Sequence, residues 1–121
     1  MSVRKTKSKY SYHGRKRYSQ RYEGHDRINV LIQRVVHYGL CIRQLPQDSK
    51  LRHFLETKEA KKRKKVKVLD GYVFILFTTS NRLITMYPIP EEFAEEYDIF
   101  KSIEHENKFH YKTRVKNNNK R

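Results

Sequence analysis

The sequence predicts an α+β domain in which N-terminal helices pack on a three- to four-stranded antiparallel meander, followed by an acidic C-terminal helix and a basic tail. Three observations predict it. Residues 26–39 carry an apolar stripe at helical spacing, residues 66–87 are β-rich runs broken by Asp70-Gly71 and Ser80-Asn81, and residues 91–100 combine acids with aromatics at helical spacing. At 121 residues, with 36% apolar and 34% charged side chains, the chain can build one small core. That core is expected over residues 10–103, between a basic arm at 1–9 and a basic tail at 104–121.

Residues 1–21 hold basic side chains (Arg4, Lys5, Lys7, Lys9, Arg15, Lys16, Arg17, Arg21) and no acid. The first nine have almost nothing to bury and read as a disordered arm. A helix from Tyr10 to Tyr22 places His13, Arg17 and Arg21 at i, i+4 and i+8 on one face, beside an i, i+4 pair of Tyr18 and Tyr22. Asp26 is the expected N-cap of the next helix. There Ile28, Leu31, Ile32, Val35 and Val36 form the apolar stripe and Gly39 stands at the C′ position. Leu40–Leu45 reads as a short strand ended by Pro46. Ser49 would cap a third helix, with Leu51, Phe54 and Leu55 inward, that dissolves into Lys61-Lys62-Arg63-Lys64-Lys65. Val66–Leu69, Tyr72–Thr79 and Arg82–Tyr87 are then three strands, because Asp-Gly supplies the positive φ angles of a tight hairpin turn. Pro88 and Pro90 close the meander, and the first three helices are expected on one of its faces. The acids Glu91, Glu92, Glu95, Glu96 and Asp98 then accompany Phe93, Tyr97 and Phe100 in a short helix, and Lys108–Arg121 reads as disordered.

The balance of 28 Lys/Arg against 13 Asp/Glu leaves +15 with histidines neutral. Such a charge draws a protein to polyanions by counterion release, so nucleic acid is the expected partner; solubilising tails and anionic lipid are the alternatives. Cys41, the one cysteine, excludes an intramolecular disulfide and a Cys-rich zinc site. The four glycines, at 14, 24, 39 and 71, supply no phosphate-cradling loop. His105 and His110 are five apart and do not share a helical face as i, i+4 metal ligands do, so no metal and no cofactor is expected. No apolar run approaches the roughly 20 residues that span a bilayer, and the N-terminus lacks an apolar signal segment. A cytoplasmic protein without a membrane partner is expected.

Strand cleavage through the 2′-hydroxyl of RNA needs a group to move the 2′ proton, a proton for the 5′ oxygen and cations for the phosphorane. A histidine can serve as acid or base, and arginines one and two turns along the same face can fork onto phosphate oxygens. Two readings of His13, Arg17 and Arg21 follow from spacing alone. They are a cleavage site, or the arginines position phosphate in a binding protein with His13 incidental.

The order of His13-Gly-Arg-Lys-Arg17-Tyr-Ser-Gln-Arg21, an apolar helix ending in Tyr38-Gly39, and a meander with Gly71-Tyr-Val-Phe-Ile that closes on Leu83-Ile-Thr-Met-Tyr87 resembles small toxin-like families. These are the families related to BrnT and, more remotely, to RelE/ParE and the colicin-type tRNases, over roughly residues 10–90. The resemblance implies an α+β ribonuclease-like fold and a metal-independent endoribonuclease. His13 would be its general acid/base, Arg17 and Arg21 its phosphorane-stabilising cations, and Thr85 a polar group on the closing strand, with Tyr87 lining the cleft. Arg15, Lys16, Tyr18, Lys61, Lys62, Arg63, Lys64 and Lys65 would add nucleic-acid affinity, with Tyr10 and Tyr12 also available to stack on bases. RNA or a ribonucleoprotein is the expected partner, and a cationic toxin implies an acidic antitoxin. Gly14 inside the catalytic helix, the basic run at 61–65, the acidic helix and the Asn-rich tail depart from the compact toxins. They suggest a phage-encoded relative without catalysis, an anti-CRISPR-like inhibitor or a ribosome-associated factor. A DNA-binding regulator built on residues 26–38 is disfavoured, because the exposed face of that helix carries one arginine only.

Overall fold

Val73-Phe74-Ile75-Leu76 offers no polar side chain to either face of a sheet, so a strand built from it must be covered on both sides. The computed structural model, which describes residues 9–59 and 63–118, covers it in that way. Strands β1 (Leu40–Cys41), β2 (Lys64–Leu69), β3 (Tyr72–Phe77) and β4 (Leu83–Pro88) form an antiparallel sheet in that order. Asp70 and Gly71 join β2 to β3 with φ of 52° and 85°, the two positive angles expected from Asp-Gly, and Asn81 turns β3 into β4 with φ 56°.

The helices are α1 (Tyr12–Arg21), α2 (Ile28–Tyr38), α3 (Lys50–Glu59) and α4 (Ala94–Asn118). On one face Leu31, Ile32 and Val35 of α2 pack with Leu69, Phe74, Leu76, Leu83 and Met86. On the other, Leu51 and Leu55 of α3 and Tyr97 of α4 pack with Val66, Val68, Val73 and Ile75. The fold is α+β as expected, but α3 does not share a face with α2. The alternation of β3 requires a second apolar layer, and α3 with the start of α4 provides it.

Three local expectations are corrected. Arg27, not Asp26, occupies the N-cap of α2 without a side-chain cap; the Asp26 carboxylate is held instead by Arg34, whose guanidinium also reaches Asp70 at 3.0 Å. Gly39 keeps negative φ (−60°) because the chain runs directly from α2 into β1. The strand expected over Leu40–Leu45 is two residues long before Ile42–Gln44 tightens into a 3₁₀ turn.

The largest difference is at the C-terminus. The acidic segment is only the start of α4, and the tail expected from residue 104 continues as helix to Asn118. No Gly or Pro follows Pro90, so nothing local stops the helix. Contacts then hold it: Glu104 is buried, Gln44 and Asn107 exchange amide hydrogen bonds at 2.8 and 3.0 Å, and Tyr111 stacks on His37 with ring centroids 4.6 Å apart. Residues 1–8, 60–62 and 119–121 lie outside the described residues, and most of the expected arm with them; Lys9 itself pairs with β4.

Ser49 caps α3 as expected, its Oγ accepting from the Arg52 amide at 3.1 Å while its hydroxyl donates to Glu96 on α4. Ser49→Ala should therefore lower the unfolding free energy by about 1 kcal/mol, measurable by urea titration. An unchanged midpoint would show that the cap adds no stability.

Candidate nucleic-acid interface

The outer edge of β4 would present unpaired backbone groups, and the N-terminal segment covers them. Leu83 N–H donates to the Lys9 carbonyl and Ser11 N–H to the Leu83 carbonyl, both at 2.9 Å, and Tyr10 pairs with Leu83 as a parallel bridge. Ser11 then turns the chain into α1, its Oγ accepting from the Gly14 amide at 2.9 Å. Gly14 is buried against the strand: a Cβ there would stand 2.5 Å from the Leu83 carbonyl oxygen. At the far end of α1, Arg21 Nη1 donates to the Met86 carbonyl at 2.9 Å.

This docking orients the helix. Tyr18 and Tyr22 stack at 5.2 Å and pack into the α2 side of the sheet, with Tyr22 against Tyr72 at 5.5 Å. Residues advance about 100° each around a helix, so with Gly14 facing the strand, His13 and Arg17 take the opposite flank. There Arg17 Nε donates to His13 Nε2 at 3.2 Å, and Arg17 Nη1 donates to Gln20 at 2.8 Å. Thr85 pairs with Ile75 and Tyr87 with Val73, two residues whose side chains enter the α3 layer, so Thr85 and Tyr87 share that face. Burial pushes the Tyr87 phenol above its ordinary value against the opposing charge of Arg21, and its hydroxyl is buried with no partner among the described residues.

The docked α1 thus runs along β4 with His13 and Arg17 on the flank away from Tyr18 and Tyr22 and with Arg21 bonded to the strand's backbone, while Thr85 and Tyr87 lie on the α3 face of that strand. Arg15 and Lys16 are exposed on α1. Tyr18 is not available to stack on a base, because its ring lies on Tyr22 and its hydroxyl donates to the Asp26 carbonyl. Tyr10 is partly buried against the α2-side core, whereas Tyr12 is 84% exposed. Of the basic run, Lys61 and Lys62 lie outside the described residues, Arg63 is exposed with φ 65°, and Lys64 and Lys65 are half-buried on β2.

The sequence reading missed a second set of cations. Lys65 lines a cleft of about 600 Å³ with Arg43, Arg52 and Lys67, which also holds Glu56 and Glu59. An adjoining cleft of about 310 Å³ is lined by His37, Arg43, Lys67, His110 and Arg114. These side chains come from different elements, so no periodicity connects them. Among the described residues no group of three or more His, Cys, Asp or Glu is placed to hold a metal ion, and no helix is long and apolar enough to cross a membrane. Comparisons with protein-family models, with curated proteins and with solved structures gave no match.

Proposed function

We propose that this protein binds RNA along the His13–Arg17–Arg21 flank of α1 and cleaves the strand held there without a metal. The observation that carries the reading is the His13–Arg17 hydrogen bond on a helix docked along β4, the strand that bears Thr85 and Tyr87. In the free protein Arg17 occupies a lone pair of the imidazole. A phosphate that draws Arg17 and Arg21 onto its oxygens would release that lone pair to take the 2′ proton. The 2′ oxygen then bonds to phosphorus, the bond to the 5′ oxygen breaks, and the imidazolium returns the proton to the leaving oxygen. The products are a 2′,3′-cyclic phosphate and a 5′-hydroxyl. Thr85 would donate to a non-bridging oxygen, and Arg15, Lys16 and the exposed ring of Tyr12 would hold the flanking strand. An acidic protein covering this flank, the antitoxin of a toxin pair, would block it.

The exposure of His13 favours a second reading, a non-catalytic ribonucleoprotein binder such as an anti-CRISPR-like inhibitor or a ribosome-associated factor. Cleavage requires an oriented, water-excluding site, whereas phosphate binding does not. The test is incubation of the full chain with single-stranded RNA in chelator. Cyclic-phosphate ends should appear, and His13→Ala should slow their formation by roughly 10²–10⁴ with affinity and thermal midpoint retained. Tight, salt-dependent binding without any cleavage by wild type would leave the binder alone. An affinity indifferent to salt would reject both readings.

A further inference from the structure

The 310 Å³ cleft lies at the opposite edge of the sheet from α1, where α4 passes β1 to reach α2. Among the described residues no carboxylate lines it, although the chain has 13 acids. Arg43, Lys67, Arg114, His37 and His110 do, from four different elements and connections. The site is braced around them. His37 is stacked on Tyr111, and the Gln44 and Asn107 amides are paired with each other, with Gln44 Oε1 also accepting from the Cys41 amide at 2.9 Å. Lys67 donates to the Val36 carbonyl at 2.7 Å, which fixes its ammonium at the edge of the cleft with further N–H donors unassigned. Burial lowers the pKa of Lys67 against an opposing effect of Cys41, and the nearby charges of Lys65 and Arg43 act in the same direction as burial. Gathering these cations is unfavourable in the free protein, and an anion among them would relieve it.

We infer that this cleft is a second RNA-binding site, which takes a phosphate of the strand between Arg43, Lys67 and Arg114. The volume accommodates a phosphate with its attached sugar, near the lower limit of ligand clefts. The inference rests on the proposed function only in that the ligand is RNA; neither cleavage nor the α1 flank is needed for it. The phosphate is either an internal one of the backbone or the terminal 5′ phosphate. Both present the same oxygens to the arginines.

Binding of a short single-stranded RNA, prepared with a 5′-phosphate and with a 5′-hydroxyl, should be measured across a salt series. The full chain would be compared with R43A/R114A and with R15A/R17A. Arg43 and Arg114 are exposed, so the first variant should retain the thermal midpoint. It should bind about tenfold more weakly, with a salt dependence shallower by roughly 0.7 in log–log slope, as expected for one lost phosphate contact on a single strand. Equal loss for both RNAs assigns a backbone phosphate, and loss confined to the 5′-phosphorylated RNA assigns the terminal one. Unchanged affinity and slope in R43A/R114A, with loss in R15A/R17A, would overturn this site and leave the α1 reading standing. Loss in R43A/R114A alone would retain the site and overturn the α1 reading. Should neither variant lose affinity, both would fall.

Discussion

Gly14→Ala is expected to lower the unfolding free energy by about 3 kcal/mol, and the thermal midpoint by roughly 10 °C or more. The reason is the approach of α1 to β4. The new Cβ would stand 2.5 Å from the Leu83 carbonyl oxygen, 3.1 Å from its carbon and 3.3 Å from the Ile84 carbonyl oxygen. All are backbone atoms of a strand hydrogen-bonded on both edges, and none has a rotamer to change. The sign of the effect is diagnostic. In a helix free of the sheet the same substitution would stabilise by about 0.8–1.0 kcal/mol, since alanine has the higher helix propensity. Stabilisation by Gly14→Ala would therefore show that α1 does not lie on the edge of β4, and the candidate site would go with it. As a sequence feature Gly14 counts against a catalytic helix. In the tertiary structure the missing side chain is what allows α1 to lie against the closing strand.

Glu104→Ala should also cost about 3 kcal/mol. Tyr97 donates its hydroxyl to Glu104 Oε2 at 2.6 Å, the Asp70 amide donates to Oε1 at 3.1 Å, and the Tyr97 oxygen accepts from the Gly71 amide at 3.0 Å. This buried network ties α4 to the hairpin turn between β2 and β3. Alanine would remove the acceptor and leave the buried Tyr97 hydroxyl unmet and the part-buried Asp70 amide without its partner, at roughly 1–3 kcal/mol for a fully buried donor and less for the other, beside the lost packing of the side chain.

The same carboxyl makes stability depend on pH. Burial raises the pKa of Glu104 above its ordinary 4.5, against the opposing hydrogen bonds from Tyr97 and Asp70. The folded state therefore holds this proton more tightly than the unfolded state. The resulting stabilisation is complete below 4.5 and is lost as pH rises through the raised folded value. Urea titrations of wild type and Glu104→Gln over this interval should show wild type losing stability with rising pH relative to the variant, whose amide does not titrate. A wild-type advantage that grew with pH would mean that Glu104 is stabilised as the carboxylate.

Elements whose signal is local were legible. The stripe Leu31, Ile32, Val35 identifies the buried face of α2, Asp70-Gly71 identifies the hairpin turn, and Ser49 identifies the start of α3. The His13–Arg17 pairing was legible too, because i, i+4 side chains meet on any helix. Asp26 was misleading for a physical reason. A carboxylate ahead of a helix can cap it locally or pair with a distant guanidinium, and the nearness of Arg34 and Asp70 exists only in the folded chain.

Composition and periodicity alone determined the α+β class, the antiparallel meander and a surplus of positive charge, since each follows from neighbouring residues or from a sum over the chain. Only the tertiary structure decided that α3 and α4 cover the second face, that α4 continues through the expected tail, and that α1 seals an open strand edge. It also decided that Arg43, Lys67 and Arg114, 71 positions apart at their extremes, line one cleft. Such groupings arise from which apolar faces find each other on folding, and no short window of sequence contains both partners.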